Sequence, residues 1–114
     1  MAYVKKESRV KRKFRIRKKV FGTAERPRMS IFKSNKHLYV QVIDDTNQKT
    51  IAQASTQKEK KGANMEAAKW LGQTIAERVK ATSVAEVVFD RNGFQYHGVV
   101  RQIADSAREG GLKF

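Results

Sequence analysis

Twelve of the first 28 residues are Lys or Arg, and only Glu7 and Glu25 oppose them. Like-charge repulsion at this density keeps such a stretch extended or transiently helical while it is free. The segment carries a net charge of +10, which leaves +4 for the other 86 residues of the 114-residue chain. The sequence therefore divides into a basic arm (residues 1–25), disordered when free, and a nearly ordinary globular α/β domain (residues 26–114). Within the arm, Phe14, Ile16, Val20 and Phe21 are interspersed among cations at spacings that fit neither a clean strand nor a clean helix. Gly22 and Pro27 punctuate its end.

A single core is all that 13.0 kDa allows. The pI near 10.4 favours polyanions: nucleic acid first, an anionic membrane second. The membrane is the poorer partner, because the arm's apolar residues form no broad stripe. No apolar run approaches the ~18 residues that would span a bilayer, and no apolar segment of the secretory kind follows the basic start. The absence of cysteine excludes disulfides and thiolate sites and suits a reducing compartment.

In the domain, RPRMSIFKSNKHLYVQVIDD (26–45) holds two alternating segments around a polar plug. From Arg28 to Lys33, Met29 and Ile31 share one face and Ser30 and Phe32 the other. From His37 to Ile43, Leu38, Val40 and Val42 oppose Tyr39, Gln41 and Ile43. Asp44–Gln48 is a turn in which Asn47 can take positive φ. Lys49–Thr56 is a weaker third strand at a sheet edge, completing an antiparallel meander.

After the polar link 57–62, Asn64 caps a helix reaching about Ala81, with Met65, Ala68, Leu71, Ile75 and Val79 as its stripe. Trp70 falls at the stripe's edge. Gly72 costs about 1 kcal/mol against Ala there, which close approach of the helix to the sheet would justify. Ala85–Asp90 is a strand that the crossover makes parallel to a neighbour. A second helix, Val99–Glu109, turns Val100, Ile103, Ala104 and Ala107 inward and stops at Gly110-Gly111. The order is β-β-β-α-β-α with a mixed sheet.

The plug Lys33, Ser34, Asn35, Lys36 and His37 is either a solvated hairpin loop or a cluster of charge and short donors suited to phosphates and 2′-hydroxyls. Arg28, Tyr39 and Gln41 lie on or near the same region, and Tyr39 offers a stacking surface. Arg91 and the FQYHG segment (94–98) follow a strand's C-terminal end, where α/β sheets often bind ligands. For Tyr96 and His97, a clamp on the second helix and an RNA contact are equally open. Neither helix is both basic and polar enough for a DNA major groove.

Among enzymes, only the acids Asp44, Asp45, Glu66 and Asp90 suggest anything, a two-metal nuclease of the ribonuclease-H kind. The first strand carries no acid, and Asp90 at a strand end suits a cap or ion-pair partner better. Two histidines 60 positions apart give no zinc spacing, and no phosphate-cradling glycine loop occurs.

Three stretches, RPRMSIFKSNKHLYVQVIDD, IAQAST and VVFDRNGFQYHGVVRQIADSAREGGLKF, together with the arm, closely resemble the bacterial form of large-subunit ribosomal protein eighteen. The resemblance implies a non-enzymatic structural constituent of the large ribosomal subunit in the cytoplasm, with a ribonuclease-H-like α/β arrangement and no cofactor or metal. It implies binding to 5S rRNA and attachment of that RNA to 23S rRNA in the central protuberance, beside neighbouring ribosomal proteins. It assigns RNA contacts in the arm to Arg12, Lys13, Arg15, Arg17, Lys18 and Lys19. In the first strand and loop it assigns them to Arg26, Arg28, Ser34, Asn35, Lys36 and His37, to which the plug adds Lys33. Its last motif maps onto Asp90, Arg91, Tyr96, His97 and Gly98. Val99 stands where the family usually has arginine, so that contact is absent or shifted to Arg101. The link 57–62 is short for the family, and nothing carries over there.

Overall fold

Strict alternation produces a sheet with one dry and one open face. A computed structural model describes residues 10–11, 20–57 and 62–114. The arm cations assigned above from Arg12 to Lys19, and the arm's expected disorder, lie outside these residues. The first strand, β1, spans Arg28–Lys33, β2 spans Leu38–Asp44 and β3 spans Lys49–Ser55. They form the expected antiparallel meander, with Met29 opposite Val42 and Ile31 opposite Val40. A short β4, Val88–Asp90, pairs parallel with β1, giving the order β3-β2-β1-β4. Ala85–Val87, expected within that strand, instead lie beside the C-terminal segment: Val87 N–H donates to the Lys113 carbonyl and Lys113 N–H to that of Ala85.

Two helices cover one sheet face. The first, α1 (Met65–Lys80), is capped by Asn64, whose side chain accepts from Ala67 N–H at 2.8 Å. The second, α2, runs over Val99–Glu109 and ends at Gly110, with Gly111 beyond it at φ 105°. Leu71, Ile75 and Val79 of α1 and Val100, Ile103 and Ala107 of α2 join Met29, Ile31, Leu38, Val40 and Val42 in one core. Each fully buried aliphatic side chain contributes about 1.5–3 kcal/mol.

Three local expectations change. Met65 is half exposed, because it opens α1 beyond the sheet's cover, and Ala67 and Ala76 fill the stripe instead. Gln48, not Asn47, takes the positive φ of the β2–β3 turn, while Asp44 holds that turn by accepting from the Thr46 and Asn47 backbone. Gly72 faces α2 rather than the sheet: a Cβ there would lie 2.5 Å from the Ile103 carbonyl oxygen and 2.6 Å from Ser106 Cβ. Gly72 is thus what lets the two helices close on each other. The expected α/β arrangement, an antiparallel meander, a crossover helix and a parallel fourth strand in one mixed sheet, is thus present.

Candidate nucleic-acid interface

The open face of the sheet begins with a buried cation. Arg28 opens β1 on the side away from the helices. Its Nε and Nη2 donate to both carboxylate oxygens of Asp45, at 2.9 and 3.0 Å, and its Nη1 donates to Asp90 at 2.8 Å. The Asp45 hydrogen bond is the largest influence holding this guanidinium's pKa above its ordinary value; burial works against it and Asp90 adds to it. Arg28 was expected among the RNA contacts. Its fork is held by two carboxylates inside the domain, because strand order brings positions 17 and 62 residues away onto it. Asp90 also accepts from Asn92 N–H at 2.8 Å, so it is both ion-pair partner and cap.

The same cluster roots the arm. Gly22 N–H donates to Asp45 Oδ2 at 2.8 Å, and Asp45 N–H returns a bond to the Gly22 carbonyl at 3.0 Å. A Cβ on Gly22 would lie 2.5 Å from the Ile43 carbonyl oxygen, so only glycine passes here. Nothing local in the sequence marks Gly22 and Asp45 as partners.

At the far end of β1 sits the polar plug, now a tight turn. Ser34 N–H donates to the His37 carbonyl at 2.9 Å, and the Ser34 hydroxyl and His37 N–H complete the closure. Ser34 and His37 therefore build the turn, which presents Lys33, Asn35 and Lys36 to solvent. Between the two ends, the open face carries Ser30, Phe32, Tyr39, Gln41 and Ile43. Phe32 is 45% exposed. Tyr39 tilts against it with centroids 5.9 Å apart, and Phe94 meets it edge-on at the same distance. The alternation that sets Phe32 opposite Met29 and Ile31 is the available signal for this site, although the sequence assigns no contact to it.

The remaining predicted residues are spread around the rim. Arg26 pairs loosely with Glu86 at 3.7 Å, both more than half exposed, an arrangement worth ~0–1 kcal/mol. Arg91 Nη1 donates to the Phe94 carbonyl at 2.7 Å and so supports the aromatic cluster. The Tyr96 hydroxyl accepts from Arg108 of α2 at 3.1 Å, and its ring stands on Phe89, so the clamp on the second helix is made. His97 is exposed. Arg101, also exposed, lies 3.7 Å from Asp105 along the helix.

The chain matches the family model described as ribosomal L18 of archaea, bacteria, mitochondria and chloroplasts over residues 3–114. It is 54% identical to the large ribosomal subunit protein uL18 of Bacteroides thetaiotaomicron, over 95% of this chain and 96% of that protein. It is 51% identical to uL18 of Trichodesmium erythraeum over the full length of both, and 51% identical to uL18 of Pseudothermotoga lettingae over 96% of this chain and 95% of that one. The chain belongs to the ribosomal L18 family. It is thus a structural constituent of the large ribosomal subunit in the cytoplasm and not an enzyme, with rRNA and ribosomal proteins as partners.

For an L18 protein the acids noted above have structural tasks. Asp44 holds a turn, Asp45 and Asp90 hold Arg28, and Glu66 sits exposed in the first turn of α1. Val99 packs against the core.

Proposed function

We propose that this L18 protein binds 5S rRNA and helps attach it to 23S rRNA in the central protuberance. One geometric observation carries the reading: the basic arm is rooted at the start of β1, through Gly22 and Asp45, while the exposed Lys33–Lys36 tip lies at its end. The arm's root and this tip are about 17 Å apart along the strand, at ~3.3 Å per residue. An RNA gripped by both crosses the open sheet face. The arm supplies attraction through phosphates with little selectivity. The rigid body supplies selectivity by fitting a folded RNA's shape through Lys33, Asn35, Lys36 and Tyr39, with Arg26, His97 and Arg101 at the rim. Arg28, Ser34, Arg91 and Tyr96 act behind this surface by holding it in place.

Competition between 5S rRNA and an unrelated RNA of equal length, at two salt concentrations, tests the proposal. Preference for 5S rRNA that persists at the higher salt is expected, together with retention of 5S rRNA on a 23S rRNA fragment. Equal affinity for the two RNAs would overturn it.

A further inference from the structure

The open sheet face carries a groove of about 480 Å³, within the ~300–1,000 Å³ range of small-ligand sites. Phe32 and Tyr39 form one wall, Arg28 lies at the other end, and Ser30 and Gln41 line the middle. Both helices pack on the opposite face, through Met29, Ile31 and Val40. Two features decide what such a groove takes. Phe32 leaves 45% of its surface open while Phe94 and Tyr39 fix its ring from the side, an arrangement that offers a rigid aromatic platform. Among the described residues, the only cation lining the groove, Arg28, is already matched by Asp45 and Asp90, so one positive charge faces two negative ones. That end repels a phosphate. The exposed Lys33 and Lys36 are outside the groove at the hairpin tip. Charge is thus sorted so that backbone phosphates belong at the tip and an uncharged planar group belongs in the groove.

Resting on the 5S rRNA reading, we propose that the groove receives a single unstacked base of the bound rRNA. The base lies against Phe32, and its hydrogen-bonding edge faces Ser30 and Gln41. Stacking of one base on an aromatic side chain is worth ~1–3 kcal/mol, or about 5- to 150-fold in affinity on replacement by alanine. A duplex held only by its backbone would draw nothing from this platform.

The test is dimethyl sulfate and carbodiimide probing of 5S rRNA bound to the full-length protein, combined with affinity measured across a salt series. Wild-type protein should protect the base edge of one unpaired nucleotide. Phe32→Leu should lose that protection, weaken binding by about tenfold and leave the salt slope unchanged, because no phosphate contact has gone. Phe32→Tyr should retain both protection and affinity. Gln41→Ala, on the exposed face, should alter reactivity at the same nucleotide and nowhere else. Wild-type affinity and footprint in both Phe32→Leu and Gln41→Ala would overturn the base site while leaving 5S rRNA recognition intact. Failure of the wild-type protein to prefer 5S rRNA would overturn the functional reading and this inference together.

Discussion

Arg28 and Asp45 form a two-pronged ion pair, with Nε and Nη2 on separate carboxylate oxygens, and the same Asp45 accepts the backbone N–H of Gly22. One acid thereby ties the start of β1, the end of β2 and the root of the arm. Asp90, with no exposed surface, closes the fork from β4.

Breaking this cluster from the cation side leaves a buried carboxylate unmatched. Arg28→Met should destabilise the domain by about 3–5 kcal/mol in urea unfolding. Arg28→Lys should recover only part of that, since an ammonium cannot bridge both acids in the plane. The native pKa of Arg28 is raised above its ordinary value, chiefly by the hydrogen bond to Asp45. Its stabilisation is therefore complete below that ordinary value and is lost only as pH rises through the higher native one. Raising pH from 7 to 10 should leave the Arg28 contribution, measured as the wild-type minus Arg28→Met difference, unchanged.

Gly72→Ala sets two effects against each other. Helix propensity favours alanine by about 1 kcal/mol, but the added carbon would press on the Ile103 carbonyl and Ser106. Overpacking costs ~1–3 kcal/mol, so the variant should melt lower than wild type. A higher melting temperature would show that the helices can separate without penalty.

Removing residues 1–19 stops short of the Gly22 anchor and should leave the domain's melting temperature unchanged. If about six arm cations meet phosphates, the slope of log K against log salt should become shallower by roughly 4–5. Preference for 5S rRNA over a length-matched RNA should survive, as filter binding between 50 and 200 mM salt would show.

Lys36→Ala, at the exposed hairpin tip, removes one phosphate contact. It should weaken 5S rRNA binding and reduce the salt slope by about 1. Ser34→Ala acts differently, by loosening the turn that presents Lys36. It should reduce 5S affinity without changing that slope.

Much of this architecture is written locally. Alternation at period two put Met29 and Ile31 on the opposite face from Phe32, and Leu38, Val40 and Val42 on the opposite face from Tyr39 and Gln41. Asn64 and Gly110 marked helix ends because capping chemistry depends on the nearest turn alone. Charge density singled out the arm. Arg28's burial could not be seen this way, since the sequence shows an arginine at a strand start, and only the order β3-β2-β1-β4 delivers Asp45 and Asp90 to it. The same holds for Gly72, whose neighbour is a helix 30 residues on, and for Phe32, whose ring is fixed by Phe94 from beyond β4. Backbone periodicity is a property of consecutive residues, so it reveals which way each side chain points. What it meets there depends on how distant segments pack, and that is decided only when the chain closes on its core.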